Sequence, residues 1–345
     1  MEKPEFVYGN EKRFSEFVKS LESAKKIVAV SHLDLDGVAS AKVVDYALQV
    51  DRVILSEYYA SDNEDLLQRI KKEKPSHVIF TDLVIKKEFA EKVAKFAYVL
   101  VIDHHIHEQD YNSDKIFFLD SPESGMCASY LAYYLFSKIS DLSKIDWLVA
   151  CASISDFCYK SIWRWMESVC EKYGDKFRGG MIEGVDSGKI WDLQWKMVLG
   201  LLHFKNVEEG YKLIGLKFGD IGDLNKYYVS IQKEFDLFLK KFDSEKIKFN
   251  DGEFWEVNSE SPIKSILVNY LSTKEQDKIF IFAKIKEEKY SLSARRQDGK
   301  VSVRDLLIKL VEGFEGASVG GHFKAAGGNI MLKDREKFLE RLKNL

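Results

Sequence analysis

The chain has 345 residues, of which 46% are hydrophobic and 31% are charged. This composition excludes a disordered or collagen-like protein, and the length exceeds the size at which a single core usually stops growing. The formal net charge of -3 excludes a surface that is basic throughout. We therefore expect two globular domains, with any nucleic-acid contact confined to a local groove.

Two features of the sequence predict a cytoplasmic protein with no membrane contact. The segment from Met1 to Ser20 is charged throughout, and no stretch approaches about 18 consecutive apolar residues, so neither a signal peptide nor a membrane span is expected. The cysteines form no CxxC pair, which makes a zinc site or a disulfide framework unexpected. We expect buried thiols at all four positions, Cys127, Cys151, Cys158 and Cys170.

The first half of the chain alternates short apolar runs with segments of helical periodicity. The runs are β-branched and nearly continuous, as in strands that are buried on both faces. They cover residues 27–30, 53–55, 78–80, 99–102 and 116–119. The helical segments cover residues 37–48, 63–72, 86–94, 127–137 and 145–153. This alternation predicts an α/β domain with a parallel, doubly wound sheet, in which ligands bind beyond the carboxyl ends of the strands.

The first candidate ligands follow the first predicted strand, in the segment Ser31-His-Leu-Asp-Leu-Asp-Gly. It places one imidazole and two carboxylates, those of His32, Asp34 and Asp36, at a strand end, and Gly37 permits a tight turn into the next helix. Histidine with aspartate suits Mn²⁺, whereas the absence of a thiolate disfavours a structural zinc site. The alternative is that both aspartates only cap the following helix.

Acidic and imidazole groups recur at the ends of later strands. The third strand ends at Asp82, and the fourth ends at Asp103, His104 and His105. Chance explains an acidic residue or a histidine at any one of these strand ends, but it does not explain their presence at all of them. Asp156 follows a helical run and offers a further carboxylate. No function is assigned to the remaining histidines, which are His77, His107 and His203. Of these, His107 follows the Asp-His-His segment and is close enough in sequence to reach the site.

The combination of HxDxDG, a strand-terminal Asp and Asp-His-His resembles the DHH phosphoesterase superfamily, which includes RecJ nucleases, short-oligonucleotide hydrolases and manganese inorganic pyrophosphatases. The resemblance implies two Mn²⁺ ions, with Mg²⁺ or Co²⁺ as substitutes. One ion would be held by His32, Asp34 and Asp82. The other would be held by Asp36, Asp82, His104 and Asp156, with Asp82 as the bridge. Without metal, some of the clustered carboxylates should be protonated, because their mutual repulsion is otherwise too costly.

Two ions about 3.5–4 Å apart activate a water molecule and clamp the attacking and leaving oxygens of an in-line displacement at phosphorus. The resemblance also implies two catalytic residues. Asp103 would fix a histidine tautomer, and His105 would contact the scissile phosphate or protonate the leaving oxygen.

From about residue 161 to residue 241 the strand signal fades into long amphipathic helical sequence. We predict a helical extension of the first domain and a connector. Tryptophans in this region could stack on nucleic-acid bases, but large aromatics on helices more often pack a core or a domain interface. We favour packing for these residues, which are Trp163, Trp165, Trp191 and Trp195.

After about residue 247, strands return at 279–285 and 291–295, followed by helices at 304–311 and from 334. This pattern predicts a smaller α/β domain with a mixed sheet. Near its end lies a glycine-dense loop with a central histidine, from Val319 to Gly328, ahead of a strand over 329–332. Glycine lets backbone N–H groups approach a phosphate closely, but tight turns also use glycine.

This loop resembles the GGGHxxAAG signature of the C-terminal substrate-binding domain that accompanies many DHH hydrolases, with Val319 in place of the first glycine. Manganese pyrophosphatases carry a different C-terminal domain. Strand alternation sends Arg295 and Arg296 to opposite faces, and by the resemblance Arg295 faces the cleft while Arg296 is a solvated charge. The implied substrate-binding residues are Arg295, Gly320, Gly321 and His322.

The predicted domains are a catalytic domain with its helical extension over 1–215, a connector helix over 216–245 and a substrate-binding domain over 246–345. The leading functional hypothesis is a Mn²⁺-dependent exonuclease that hydrolyses single-stranded DNA or RNA, or short oligonucleotides, from an end to nucleoside monophosphates. A phosphodiesterase for cyclic dinucleotides or nucleotide bisphosphates is the second hypothesis. The third is an inactive scaffold bound to replication or repair proteins. Polarity, DNA or RNA preference and homo-oligomer formation are left open.

Overall fold

The computed structural model describes residues 1–57, 64–122 and 124–345. The chain divides into two compact units. The first contains Met1–Gly180 and Asp186–Tyr228, and the second contains Met181–Val185 and Val229–Leu345. The finer division into a catalytic domain, a connector and a substrate-binding domain stays a prediction.

The first unit is built on a parallel sheet of five strands in the order β2-β1-β3-β4-β5. The strands are β1 (Ile27–His32), β2 (Arg52–Ser56), β3 (His77–Thr81), β4 (Tyr98–Asp103) and β5 (Ile116–Asp120). Each apolar run identified in the sequence lies within one strand. The strands extend one or two residues beyond the runs, because backbone pairing continues into the polar residues at the strand ends.

Helices cover both faces of this sheet, which confirms the doubly wound fold. They are α1 (Glu11–Ser20), α2 (Leu35–Leu48), α3 (Glu64–Lys72), α4 (Lys87–Ala94), α5 (Ala128–Phe136) and α6 (Asp146–Ser155). One core contains Ala29 and residues of α1, α2, α5 and α6, and the other contains Val28, Val30 and residues of α3 and α4. Alternate residues of one strand therefore enter different cores. The predicted start of α3 at residue 63 lies outside the described residues.

The sequence pattern did not predict α1. Asn10 caps this helix, because its side chain accepts hydrogen bonds from the N–H groups of Lys12 and Arg13. Phe14 and Phe17 bury one face of the helix against the sheet.

A helical segment follows, as predicted, with α7 (Trp163–Lys172), α8 (Lys189–Leu201), α9 (Val207–Leu213) and α10 (Leu224–Glu245). Its four tryptophans are buried or partly buried, in agreement with the packing interpretation. Trp163, Trp165 and Trp191 pack in or against the larger core of the first unit, and Trp195 stacks on Trp191. Three of the four cysteines are buried, as expected, but Cys158 is partly exposed. None of the helices in the described part of the chain is long and apolar enough to span a membrane.

The second unit contains a mixed sheet of six strands in the order β10-β11-β9-β8-β7-β6, in which only β7 and β8 pair in parallel. Its strands are β6 (Ile247–Phe249), β7 (Gly252–Glu256), β8 (Ile279–Lys286), β9 (Lys289–Arg295), β10 (Ser318–Gly321) and β11 (Ala325–Met331). Its helices are α11 (Lys264–Lys274), α12 (Val303–Val311) and α13 (Arg335–Lys343). The mixed sheet agrees with the prediction.

The prediction of a glycine-dense loop was wrong. Most of the segment is a β-hairpin, in which Val319 and Gly320 of β10 pair with Gly328 and Gly327 of β11. Only three residues, His322 to Lys324, connect the two strands. Because glycine disfavours strands in general, the propensity of the segment indicated a loop, but pairing with β9 on the other side of β11 overrides that preference.

Candidate metal centre

Three candidate residues lie side by side at the ends of neighbouring strands. Ser31 pairs with Thr81, and Thr81 pairs with Ile102. The next residues along these strands are His32, Asp82 and Asp103, which therefore share the carboxyl edge of the sheet. The strand order reverses beside β1, and open α/β sheets bind their ligands at such a position.

The loop after β1 is held by the first turn of α2. Asp34 is the N-cap of this helix, and its Oδ1 accepts a hydrogen bond from the N–H of Gly37 at 3.0 Å. Its Oδ2 lies 3.1 Å from His32 Nδ1. A Cβ atom on Gly37 would lie 2.2 Å from the backbone oxygen of His32, so the turn requires glycine. Asp34 thus caps the helix, as the alternative interpretation expected, and also reaches His32.

Asp36 is anchored on α5 and not on its own helix. Its side chain is buried, and its two oxygens accept hydrogen bonds from the N–H groups of Ala128 and Ser129 at 2.8 and 3.0 Å. Burial, followed by the nearby Cys127 and Asp82, raises the pKa of Asp36 well above its usual value. Each carboxylate oxygen keeps a further lone pair with which it could bind a cation.

Asp82 lies in the middle of the cluster. Its Oδ1 is 3.4 Å from His104 Nε2, and its Oδ2 is 3.7 Å from His32 Nδ1. The residue is 2% exposed, and within the described residues Oδ2 has no hydrogen-bond partner. Its φ angle of 56° is left-handed, a strained conformation that concentrates at functional sites. A buried carboxylate oxygen without a donor fits a site for a cation.

Potential metal ligands form three connected groups, in each of which the ligand atoms all lie within 4.8 Å of one another. Asp82 belongs to two of the groups and His104 also belongs to two. The groups are His32, Asp34 and Asp82; Asp82, His104 and His105; and His104, Asp156 and Cys158. Five of the predicted ligands are therefore together, while Asp36 lies outside the groups. Mixed carboxylate and imidazole donors suit divalent transition metals, so the residues present fit the implied ions.

The cluster retains protons when no metal is bound. Burial opposes the charged form of both metal-centre histidines, but Asp34 and Asp82 outweigh it at His32, and its pKa is raised well above the usual value. Asp82 and Asp156 raise the pKa of His104 in the same way against the effect of burial. Burial raises the pKa of Asp156 to about 7, although His104 opposes that rise. Metal would have to displace these protons.

Asp103 lies outside the three ligand groups and instead orients two histidines. It is fully buried; Oδ1 lies 2.8 Å from His105 Nδ1, and Oδ2 lies 2.8 Å from His107 Nε2. Burial would raise the pKa of Asp103, but His105 and His107 hold it well below its usual value. The carboxylate is therefore ionised and only accepts, so both histidine nitrogens donate. A residue that fixes a histidine tautomer requires this geometry.

Three residues near this centre were missed by the sequence analysis. His107 was assigned no function, although its spacing of four residues from Asp103 in Asp-His-His-Ile-His was a usable signal. Asp120 ends β5, pairs in register with Asp103 and is fully buried. Burial raises the pKa of Asp120 to about 7. The sequence signal for Asp120 was its position at the end of a predicted strand. Cys158 was expected to be an inert buried thiol, and no sequence pattern distinguished it.

The predicted substrate-binding residues lie in the second unit. Arg295 pairs in register with Ala325, and Gly321 pairs with Ala326, so Arg295 and the hairpin end share one end of the mixed sheet. His322 is exposed at the hairpin tip, and its backbone N–H donates to the oxygen of Ala325 at 2.7 Å. The structure therefore brings together Arg295, Gly320, Gly321 and His322 at this sheet end.

The two arginines at the end of β9 differ in their partners. Arg295 donates to Asn269 Oδ1 at 2.5 Å and to the backbone oxygen of Ala326 at 3.0 Å, and no carboxylate of the described residues forms an ion pair with it. Burial lowers the pKa of Arg295 to about 10, which leaves it charged at neutral pH. Arg296 binds both oxygens of Asp298, at 2.8 and 3.0 Å, and is 7% exposed. The expectation of a solvated charge at Arg296 was wrong, because this ion pair allows its burial.

Two family models match the chain. Residues 26–154 match the DHH family, N-terminal domain, and residues 255–345 match the DHHA1 domain. These matches confirm the resemblance seen in the sequence motifs. No curated protein sequence matches the chain.

Solved structures show the same fold. RecJ from Thermus thermophilus in complex with Mn²⁺ is 12% identical with a TM-score of 0.72, over 97% of this chain and 54% of that chain, so this chain spans about half the length of that RecJ. A DHH domain described as a member of the s1p family of ribosomal proteins is 14% identical with a TM-score of 0.74, over 97% and 90% of the two chains. The pGpG-specific phosphodiesterase PggH from Vibrio cholerae is 12% identical with a TM-score of 0.52, over 93% and 98%.

Proposed function

We propose that this chain, which carries a DHH domain followed by a DHHA1 domain, is a metal-dependent phosphodiesterase that releases nucleoside monophosphates from an end of single-stranded DNA or RNA, or from short oligonucleotides. One observation carries the proposal. The buried Oδ2 of Asp82 has no hydrogen-bond partner among the described residues and lies where the ligand groups join. A carboxylate in that position is suited to bridge two cations, and two bridged cations are suited to phosphoester hydrolysis.

His32, Asp34 and Asp82 would hold one ion, and Asp36, Asp82, His104 and Asp156 would hold the other. We propose Mn²⁺, with Mg²⁺ or Co²⁺ as substitutes, because the donor set combines imidazoles with carboxylates. When bound, the ions supply a hydroxide nucleophile and neutralise charge at the scissile phosphate. The two N–H groups at the start of α5 orient Asp36, and the α2 cap orients Asp34.

Asp103 and His105 would act on the substrate side of this centre. Asp103 accepts a hydrogen bond from His105 Nδ1, so Nε2 is the nitrogen that would meet a phosphate oxygen. An imidazolium in that position donates a hydrogen bond to the phosphate and can pass a proton to the leaving oxygen. The buried, ionised Asp103 orients the His105 ring through this hydrogen bond, so it supports this role without contacting the substrate.

The second unit would bind the nucleotide itself. Arg295 keeps its charge at neutral pH, and within the described residues no carboxylate neutralises it, so its guanidinium is suited to pairing with a phosphate. The exposed His322 and the backbone of Gly320 and Gly321 lie at the same sheet end. A site that encloses one phosphate and its nucleoside favours chain ends over internal positions.

A phosphodiesterase for small nucleotides is the second candidate. The similarity to PggH, a pGpG-specific phosphodiesterase, extends over 93% of this chain and 98% of that chain. The net charge of -3 also offers no excess of basic residues for a long nucleic acid. The third possibility, an inactive scaffold for replication or repair proteins, is opposed by the assembled ligand groups.

Product analysis with purified protein and Mn²⁺ tests the proposal. The substrates are end-labelled DNA and RNA oligomers of several lengths, together with pGpG, cyclic dinucleotides and nucleotide bisphosphates. We expect stepwise shortening from one end with release of mononucleotides. Cleavage of only the small nucleotides would favour the second candidate, and metal binding without hydrolysis of any substrate would favour the scaffold. Glu91→Gln, on the exposed face of α4, is the matched control for variants of the cluster.

A further inference from the structure

Cys158 lies beside the candidate metal centre, in the turn after α6. It follows Asp156 by two residues, and its Sγ is 3.3 Å from Asp156 Oδ2. Phe157, between them, has a φ angle of 56°. This left-handed conformation is unfavourable for a phenylalanine, and here it accompanies the close approach of the two flanking side chains.

The distances fit coordination of one ion by three residues. His104 Nε2 lies 3.7 Å from Asp156 Oδ2, and the ligand atoms of His104, Asp156 and Cys158 all lie within 4.8 Å of one another. Donor atoms bound to one ion at about 2.0–2.3 Å lie at most about 4.6 Å apart, and neighbouring donors lie closer. Small side-chain movements would therefore bring all three atoms into contact with a single ion.

A second observation points to a cation in the ligand group next to this one. Asp82 is buried, and its Oδ2 has no hydrogen-bond partner within the described part of the chain, while its Oδ1 lies 3.4 Å from His104 Nε2. The group that contains Cys158 therefore shares His104 with a group that contains Asp82, whose buried Oδ2 accepts no hydrogen bond from the described residues. The thiol is part of a ligand cluster and is not an isolated cysteine.

We propose that Cys158 is a metal ligand, and that it completes a position formed with His104 and Asp156. The inference rests on the proposed function only in requiring metal at this centre. On binding, the sulfur gives its proton to solvent and forms a bond to the ion, so no oxidant or reductant takes part. A thiolate is a softer donor than a carboxylate. This position should therefore prefer Zn²⁺, Co²⁺ or Fe²⁺ over Mn²⁺ and Mg²⁺ more strongly than a site of oxygen and nitrogen donors alone.

Cys151 supplies a matched control. It is buried, and its Sγ contacts the backbone oxygen of Ile190 at 3.4 Å, which a serine hydroxyl could also do. It belongs to none of the ligand groups among the described residues. Cys151→Ser and Cys158→Ser therefore make the same atomic change, outside and inside the proposed site.

Cobalt absorption spectroscopy on the full chain tests the proposal. The metal-free protein is titrated with Co²⁺, and bound cobalt is counted independently. We expect a near-ultraviolet sulfur-to-cobalt charge-transfer band in the wild type and in Cys151→Ser, and its loss in Cys158→Ser. Zn²⁺ affinity should fall at least about ten-fold in Cys158→Ser, because even partners outside the coordination shell change affinity by about 10–100-fold. Mn²⁺ affinity should fall less.

Three outcomes would overturn the assignment: a band that persists in Cys158→Ser, cobalt bound by the wild type without a sulfur band, or equal losses of Zn²⁺ and Mn²⁺ affinity. X-ray absorption of the zinc-loaded wild type needs no variant and should show one sulfur at about 2.3 Å. The two proposals fail separately. If oligonucleotides are hydrolysed but no sulfur–metal bond forms, only the assignment of Cys158 as a metal ligand is rejected. If a sulfur–metal bond forms but oligonucleotides are not hydrolysed, only the proposed substrate is rejected.

Discussion

Asp103 and His107 are joined by a hydrogen bond of 2.8 Å between Oδ2 of the carboxylate and Nε2 of the imidazole. The other oxygen of the same carboxylate holds His105 at the same distance. Among the described residues, His107 belongs to none of the ligand groups. We therefore expect His107 to be a positioning residue, because it restrains the carboxylate that contacts His105.

Asp103→Asn should lower kcat by about 10²–10⁴, because an amide cannot accept hydrogen bonds from both histidines and does not stabilise an imidazolium. His107→Gln should lower kcat by about ten-fold and leave KM nearly unchanged, because one of the two restraints on Asp103 is weakened. Steady-state kinetics on the preferred substrate separates the two parameters. The control is His203→Gln, a histidine that stacks on Tyr227. Equal effects of the substitutions at His107 and His203 would contradict the positioning role.

Asp82→Asn should remove the stabilisation that metal provides. Mn²⁺ at about one hundred times its Kd should stabilise the wild type by about 2.7 kcal/mol, since it binds only the folded chain. In Asp82→Asn this gain should disappear and hydrolysis should fall by more than about 100-fold, because the carboxylate that we propose as the bridge is lost. Denaturant unfolding with and without Mn²⁺ measures the gain. Glu91→Gln should behave as the wild type. A full metal-dependent gain in Asp82→Asn would reject the bridge.

Metal affinity should rise with pH. The pKa values of His32 and His104 are raised, so both imidazoles are protonated near neutral pH without metal, and the pKa of Asp156 is raised to about 7. Bound metal requires the deprotonated forms, so binding releases protons. The association constant should increase about ten-fold per pH unit for each proton released. Calorimetry in two buffers of different ionisation enthalpy counts these protons, and an affinity independent of pH between about 6 and 8 would contradict the assignment.

Substitution of Arg295 should change kcat/KM, whereas substitution of Arg296 should change the free energy of unfolding. Arg295→Ala should lower kcat/KM for oligonucleotides by about 10–100-fold, because a charge-assisted hydrogen bond to phosphate contributes about 1.5–3 kcal/mol. Arg296→Ala should keep kcat/KM but lower the free energy of unfolding, because it removes the guanidinium that binds both oxygens of Asp298. Kinetics and denaturant unfolding on both variants distinguish the roles. A loss of kcat/KM in Arg296→Ala without a loss in Arg295→Ala would instead place Arg296 at the substrate.

Gly321→Ala should disrupt the hairpin between β10 and β11. Its φ angle is 116°, and an added Cβ would lie 2.4 Å from the backbone oxygen of Ala325. The expected loss of unfolding free energy is about 1–3 kcal/mol, accompanied by a higher KM. Gly327→Ala is the control, since its Cβ would approach Leu292 only to an ordinary 3.4 Å. Equal stability of the two variants, measured by thermal unfolding, would show that the hairpin tolerates the change.

The sequence was sufficient to predict the parallel sheet, because its strands are buried on both faces and burial selects continuous apolar runs such as the one in β4. It also predicted most of the candidate ligands. Parallel strands end at one edge, so an aspartate or histidine after one strand is near those after the next; His32 and Asp82 illustrate the rule. The order of the motifs indicated the resemblance to DHH phosphoesterases, and the matches to two domain models confirm that resemblance.

The glycine segment marks a limit of local reasoning. Glycine favours turns, and the residues from Val319 to Gly328 were expected to form a loop. The hairpin exists because β11 also pairs with β9, a contact between residues about thirty positions apart in the chain, such as Ala326 and Ala294. Local propensity contains no information on that partner.

The sequence by itself determined the sheet, the strand-end acids and histidines, and the order of the motifs, because burial and periodicity act within a few residues of each position. Only the tertiary structure decided which atoms meet. Folding brings the start of α5 to Asp36, and it brings Asp156 and Cys158 to His104, across 92 positions in the first case and 52 and 54 in the other two. Such contacts depend on how helices pack against the sheet, and no local pattern records that packing. Asp82 was therefore predicted as a ligand from its strand end, but the missing partner of its buried oxygen was visible only in the folded chain.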